Sequence, residues 1–566
     1  MGVPWASVFR VAAAVSSDPM PTAHIVLGES PALTPECDGL RLRWLWLAWI
    51  VSLPLLLLFA GSPSCARTQE ARVLETGWEM AQRGESWLLP VSNGILRLQK
   101  PPIPYWMAAL GFDIGGVNEW AGRMPTILVT WLTLGLAGLM ACRLFNARAG
   151  LLTLGLLLTT YEIFRFGRLA ETDAPVALAV TLAIWAFWRA SEGGTLGQRI
   201  AWNWLAGAGI GLALMSKGGP AVFPVLFLIG WSAANCTWRY IVDFLRMGGW
   251  VAFLAIGLPW YVYLYSTVGL EVIWKELHVV TQGDDHGLPW YAAGYLLLQA
   301  TAPWCAVVIV ALIETGRQCR HDRRLMLMGV WTLSILVPLT LIGNKQIHYL
   351  FPLMPPVMIL CAWLTDAGFR ESSPARVRKH VPRLLLGTIW LSVLAGPGLL
   401  FGASKTMGAL DHADWALAGM TLGGVIVSLL VVRRYGLLKG IAVYCLVLAV
   451  LLANLFGSWG TRLSGSAVRD VGQEVVARYR SGPYYFWANS PDLSMVFAMR
   501  SVCVGGTDEQ ALRVWLRANP EGVVLMASNA EKAIRRNKTN PVPAFLSELE
   551  TIGYGQNRMK VFASRQ

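Results

Sequence analysis

The stretch WLWLAWIVSLPLLLLFA, residues 44–60, contains no charged side chain. A run this apolar approaches the ~20 residues that a helix needs to cross a bilayer. Twelve similar segments follow, near 121–142, 149–164, 174–190, 202–216, 219–236, 248–266, 290–313, 327–343, 348–366, 384–402, 415–432 and 440–457. Composition agrees with this reading. Of the 566 residues, 14% are charged and 55% hydrophobic, with 27 Trp, and the mean hydropathy is +0.48. An ordinary soluble domain carries roughly 25% charged residues. A disordered chain is thereby excluded and a soluble enzyme disfavoured. The expected fold is mainly α, a polytopic transmembrane bundle of about 13 spans. Residues 1–43 form a tail, 44–457 the bundle with a long loop at 61–120, and 458–566 a small α/β domain.

The formal charge of +13 is first a topology signal. Alternating the thirteen spans groups Arg41/Arg43, Arg143/Arg148, Arg189/Arg199, Arg239/Arg246, the Arg317–Arg324 cluster, the Arg370–Arg383 cluster and Arg433/Arg434/Lys439 on one side. Lys and Arg mark the cytoplasmic side. The N-terminal tail is therefore expected inside, and residues 458–566 outside, the cell membrane. No soluble part carries the basic stripe that nucleic acid requires. The polar, mixed first 40 residues lack the charged-then-apolar pattern of a cleaved signal peptide. The nine cysteines show no CxxC spacing, and a Cys65–Cys503 disulfide is left open.

Polar residues concentrate in the loops opposite that basic set. Residues 69–83 place Leu74, Trp78 and Ala81 on one helical face and Glu75, Glu79 and Arg83 on the other, the pattern of a helix lying on a membrane surface. Residues 104–115 read the same way. Arg165, Arg168, Glu171 and Asp173 crowd the next such loop, where Asp173 either caps a helix or serves function, as ionisable groups at the membrane edge often do. Ser216-Lys217-Gly218 and GNKQIHYLFPLMPP (343–356) add cations that either snorkel or bind. Carboxylates Glu70, Glu171 and Asp173 thus share one face with Arg72, Lys100, Lys217, Lys345 and His348. Such a mixture suits sugar transfer: a carboxylate supports the oxocarbenium-like state, and cations stabilise a departing phosphate. No phosphate loop, HExxH or metal-ligand cluster is evident.

Seven blocks in order complete the picture: TQEARVLETGWEM (68–80), GESWLLPVSNGILRLQKPPIPYW (84–106), NEWAGRMP (118–125), GRLAETDAP (167–175), SKGGP (216–220), LPWYAAGYLLLQATAPW (288–304) and KQIHYLFPLMPP (345–356). They resemble the GT-C glycosyltransferases of the aminoarabinose lipid A transferase and protein O-mannosyltransferase group. The resemblance implies a membrane bundle with two surface helices in its first outer loop. It also implies an inverting displacement outside the cytoplasm, from a polyprenyl-phosphate sugar to a lipid, glycan or protein acceptor.

Site residues carry over from the resemblance by position. Lys100 matches the Lys-Pro-Pro lysine, a phosphate contact; Asp173 matches the second-loop aspartate; Lys345 and Tyr349 match late donor-phosphate positions. Arg72, Lys217 and His348 join the substrate-binding set. The family's Asp-Glu pair is replaced by Gln69-Glu70, and an amide is no base, so Glu70 is the nearest substitute. The alternatives are an acceptor needing no base, such as a phosphate, or an impaired member. No resident cofactor or metal is assigned. From a different class, a transporter or flippase of lipid-linked sugars would place ionisable groups near mid-membrane in paired repeats; none is evident.

The last hundred residues read as strands at 484–489, 501–504, 522–528 and 558–564, and as helices at 508–518, 531–536 and 543–553. Capping boxes are expected at Thr507/Gln510 and Ser528/Glu531, and Asn537-Lys538-Thr539 matches a glycosylation sequon.

Overall fold

The structure, a computed structural model, describes residues 39–84, 86–282, 287–407, 412–459, 468–479, 482–488, 491–537, 542–553 and 558–564. Residues 1–38 of the expected tail, and Lys538-Thr539 of the sequon, lie outside them. Eight described helices are long and apolar enough to cross a membrane, and Ala292–Ala300 with Cys305–Gln318, bent by 119°, forms either a broken ninth span or a re-entrant loop. Three shorter apolar helices, together with helix Leu196–Lys217, occupy the remaining expected positions. Each of the thirteen segments read from hydropathy therefore falls on helix, and the chain is a polytopic membrane protein.

Two devices hold the bundle. The first joins α1 (Gly39–Leu57) to the later helix Glu119–Leu144. Trp49 and Trp131 stack with centroids 4.0 Å apart. Each indole N–H donates to the other's backbone carbonyl, at 2.8 and 2.7 Å. A buried indole needs such an acceptor, and a helical carbonyl keeps a second lone pair for it. The second device is close approach of backbones through small residues. A Cβ added at Gly207 would lie 1.8 Å from the Gly249 carbonyl oxygen, so only glycine allows those helices to meet.

The long first loop holds α2 (Thr68–Gln82), a hairpin of β1 (Val91–Ser92) and β2 (Ile95–Leu96), and α3 (Ile103–Gly115), after which α4 (Glu119–Leu144) enters the bundle. Both expected surface helices are present, but α2 is not half-solvated. The two glutamates of its supposed polar face are buried, while Arg83 is exposed: Glu75 accepts from Ser92 Oγ and from Asn93 N, both at 2.5 Å, and Glu79 accepts from Gly94 N at 3.0 Å. Burial, with Glu79 alongside, pushes the Glu75 carboxyl well above the usual range. These carboxylates hold the hairpin turn Asn93-Gly94, whose positive φ values (53° and 74°) suit those two residues.

After α5 (Ala147–Leu158) and the short α6 (Tyr161–Phe166), the helices α7 (Asp173–Ser191) and α8 (Leu196–Lys217) begin and end beside this loop. The C-terminal region forms a five-stranded sheet. Its strands are β3 (Tyr484–Trp487), β4 (Cys503–Gly506), β5 (Val523–Ala527), β6 (Leu546–Ile552) and β7 (Met559–Ser564), in the order β4-β3-β5-β7-β6. β4, β3 and β5 run parallel; β7 is antiparallel to both β5 and β6.

Two expectations change here. Residues 543–553 are not a helix: Leu546–Ile552 pairs with β7 across a bulge at Glu548/Glu550, and tertiary pairing overrides a helical propensity. Helix Glu509–Ala518 is capped by Asp508, which accepts from Gln510 N at 2.9 Å, and not by Thr507.

The domain docks on the first loop. Asn93 Nδ2 donates to the Cys503 carbonyl and its Oδ1 accepts from Cys503 N, both at 2.8 Å. Phe497 stacks on Phe112 of α3 at 5.8 Å. Cys65 and Cys503 are both buried free thiols, so the disulfide left open by the sequence is not formed.

Candidate functional site

The fold converges three loops on Asp173, the first residue of α7. Thr172 occupies the N-cap position without a capping hydrogen bond, so Asp173 is not spent as a cap. It accepts from Lys217 Nζ at 2.5 Å and from Thr172 Oγ1 at 3.3 Å, and His348 Nε2 lies 4.0 Å from its other oxygen. Lys217 ends α8 and sits 4.1 Å from the centroid of Tyr349. Asp173 and Lys217 are 5% and 11% exposed at their side chains. The desolvation of both charges is offset chiefly by their mutual contact, with Thr172 and His348 beside Asp173 and the Tyr349 ring beside Lys217.

The cleft around this pair is lined by Gln69, Arg72, Arg97, Lys100, Glu171 and Asp173, with Lys217, His348 and Tyr349. Lys100 makes no hydrogen bond or ion pair among the described residues. Its ammonium is pushed down to about 8, first by burial and then by Lys217. A cation in that condition is poised for an incoming anion, which would restore its charge. The enclosed space is about 20 Å³, enough for a water and not for a sugar, so a substrate must part these side chains.

Of the residues expected from sequence, Asp173, Arg72, Lys100, Lys217, His348 and Tyr349 come together. Glu70 does not. Its carboxylate makes a bidentate pair with Arg123, at 2.7 and 2.9 Å, and accepts from Ala170 N at 3.2 Å. Glu70 and Arg123 side chains are 2% and 1% exposed. Adjacent positions on a helix point about 100° apart, so Gln69 faces the cleft while Glu70 turns away. Glu70 is therefore no substitute for the base that the Gln69 position lacks. Lys345 is also outside the cluster. Its Nζ donates to the Leu288 carbonyl at 3.1 Å and to that of Ile342, and it borders a separate small cavity with Tyr349. That role is structural for the loop.

Sequence reading missed Arg97, which donates to Tyr105 Oη at 3.2 Å and lines the cleft three residues before Lys100. Its place between Leu96 and Leu98, three residues before Lys100, was the available signal. It also missed a triad. Ligand atoms of Glu171, Asp173 and His348 lie within 4.8 Å of one another, a cluster brought together from distant loops that no local spacing reveals. Both carboxylates already have cations, however. Glu171 accepts from Arg67 Nε at 2.6 Å, and Asp173 holds Lys217. A divalent ion there would have to displace both. Glu171 itself is pushed up to about 7 by burial, against the opposing pull of Arg67.

A family profile described as dolichyl-phosphate-mannose-protein mannosyltransferase matches residues 99–263. An undecaprenyl phosphate-alpha-4-amino-4-deoxy-L-arabinose arabinosyl transferase 2 from Pseudomonas fluorescens is 28% identical over 346 residues, covering 59% of this chain and 62% of the relative. A transferase from Edwardsiella ictaluri, named likewise but without the numeral, is 27% identical over 394 residues, covering 66% and 69%. The chain resembles the aminoarabinose transferase group of GT-C glycosyltransferases. It spans between 54% and 62% of the length of the first three curated relatives. ArnT from Cupriavidus metallidurans in the apo state superposes with a TM-score of 0.71 at 18% identity, over 93% of this chain and 98% of that one. The same protein bound to undecaprenyl phosphate gives 0.70 at 18% identity, over 94% and 100%. The bundle and the C-terminal domain thus share the ArnT fold.

Proposed function

We propose that this protein is a membrane glycosyltransferase that moves a sugar from a polyprenyl-phosphate carrier to an envelope acceptor on the extracytoplasmic face of the inner membrane. The observation that carries this reading is the gathering of Lys100, Lys217, Arg72 and Arg97 in one cleft with the carboxylates of Asp173 and Glu171. The names of the sequence relatives and the matched family profile support it. So does the ArnT fold, which has been solved with undecaprenyl phosphate bound.

The cations would hold the carrier phosphate. Its negative charge grows as the anomeric C–O bond breaks, so each cation stabilises the transition state more than the ground state. Lys100, uncommitted among the described residues, is the first contact. Lys217 must loosen from Asp173 to follow, which would free that carboxylate to face the sugar or the acceptor. Displacement from the opposite face of the anomeric carbon inverts its configuration. Gln69 supplies no base, so proton removal falls to Asp173, or the acceptor arrives already ionised.

The test is incubation of the purified protein with a polyprenyl-phosphate sugar and cell-envelope lipids, followed by mass spectrometry of the products. A new glycosylated acceptor with released polyprenyl phosphate is expected. Movement of labelled lipid-linked sugar across vesicles without product would overturn the proposal in favour of a transporter.

A further inference from the structure

A second cavity, of about 180 Å³, lies on the other side of α2's N-terminal turn, lined by Arg67, Glu70, Arg123, Arg165, Arg168 and Phe456 among others. The space is well above the ~10–15 Å³ that a water needs. Two of its four arginines are neutralised: Arg123 by Glu70 and Arg67 by Glu171. Arg165 and Arg168 pair with no carboxylate among the described residues. Arg168 is 4% exposed; it donates through Nη2 to the Leu58 carbonyl, while its Nε and Nη1 are buried without an acceptor. Arg165 Nε is likewise buried and unpartnered. Its guanidinium lies among the rings of Tyr161, Phe166 and Phe456, at 5.9, 5.6 and 5.2 Å. Arg165 as a whole is half-buried, and these rings accept no conventional hydrogen bond.

Buried, unsatisfied donors on fixed guanidinium groups are costly, and the group that satisfies them best is a phosphate, through paired N–H···O contacts. A third cavity, of about 500 Å³, adjoins the second through the same two residues, Arg165 and Phe456. Its wall is mostly apolar, with Val447, Leu448, Leu451 and Leu455. Cationic at one end and aliphatic at the other, the pair of cavities has the polarity of one amphiphile.

We infer that these two cavities form a lipid-phosphate site separate from the Asp173 cleft, with the phosphate between Arg165 and Arg168 and the chain against Leu448 and its neighbours. Glu70 faces this site already paired with Arg123, so it adds little repulsion. The wall between the two sites is the Arg67–Glu171 ion pair, because Arg67 lines this cavity and Glu171 lines the Asp173 cleft. A lipid phosphate held here is one ion pair away from the transfer site proposed above.

The test measures binding alone, so its failure leaves the transfer proposal standing. The full-length protein in detergent is titrated with phosphatidic acid, with phosphatidylcholine and with inorganic phosphate, and bound species are read by native mass spectrometry. Retention of phosphatidic acid over phosphatidylcholine is expected, with a loss of tenfold or more in Arg165→Gln and in Arg168→Gln and no change in Arg513→Gln, at an exposed ion pair of the C-terminal domain. Leu448→Trp, which fills the apolar cavity, is expected to lower lipid binding and spare inorganic phosphate. If Arg168→Gln fails to fold for want of its Leu58 contact, Arg165→Gln carries the test, since Arg165 makes no hydrogen bond among the described residues. Unchanged binding in Arg165→Gln overturns the site. Equal affinity for inorganic phosphate, with no effect of Leu448→Trp, overturns its assignment to a lipid.

Discussion

Replacing Glu70 by Gln separates a structural carboxylate from a catalytic one. Glu70 and Arg123 are almost wholly buried and joined by two contacts of 2.7 and 2.9 Å. An amide in place of that carboxylate would leave the guanidinium buried with two backbone acceptors, Ala60 O at 2.8 Å and Pro63 O at 2.7 Å, and no counter-charge. Removing one partner of such a pair costs about 3–5 kcal/mol. At about 1.4 kcal/mol per tenfold, that is roughly two to four powers of ten in the folding equilibrium. Thermal unfolding in detergent should therefore show a clear loss of stability. Turnover per folded molecule should stay near the wild-type value, because Glu70 does not reach the Asp173 cleft. Pairing Glu70→Leu with Arg123→Met should recover part of the loss, since an apolar pair of similar volume needs no desolvated charge. Unchanged stability with abolished turnover would refute this reasoning and return Glu70 to catalysis.

Three further outcomes follow from the same geometry. Donor binding should weaken as pH rises through about 8, where the buried Lys100 ammonium loses its proton, while Lys100→Arg flattens that dependence; a pH series of dissociation constants checks it. Glu171, held near 7 by burial against ~4.3 in an unfolded chain, keeps its proton only in the folded state between those values. Folded stability should therefore fall as pH rises across that window, and in Glu171→Gln the slope should shrink, as unfolding measured at pH 5 and 8 would show. Lys345→Ala, which loses only two contacts to backbone carbonyls, should leave turnover within a few-fold of wild type in a steady-state assay.

Much of the architecture was legible because membrane helices announce themselves by length and apolarity alone. Gly207 and the Trp49/Trp131 pair, which fix how those helices pack, carry no such local mark. The Asn93-Gly94 hairpin and its anchoring by Glu75 and Glu79 went unread in the sequence. Their helical spacing from Leu74 and Trp78 suggested a solvated face, and only the fold shows a hairpin placed over it. Residues 543–553 read as a helix in isolation, and pairing with β7 makes Leu546–Ile552 a strand.

At the site, charges scarce enough to stand out in an apolar chain pointed to Lys100, Lys217 and Asp173, which the fold brings into one cleft. The failures came from direction, not position. Glu70 is one residue from Gln69 but faces the other cavity, and Lys345 is four from Tyr349 but ties down its own loop. Chain order indicates which loops meet; which side of α2 points at which cavity depends on the helix's rotation, and that is set by Arg123 and the buried hairpin.

The most direct measurement is the rate of sugar transfer from a polyprenyl-phosphate sugar in proteoliposomes, normalised to folded protein, for Lys100→Ala and Asp173→Asn against wild type. Losses of about 10²-fold or more are predicted for both, the scale of removing one preorganised charge-stabilising contact, with Lys100→Ala restored in part by Lys100→Arg. Wild-type rates in both folded variants would contradict the assignment of the Asp173 cleft as the transfer site.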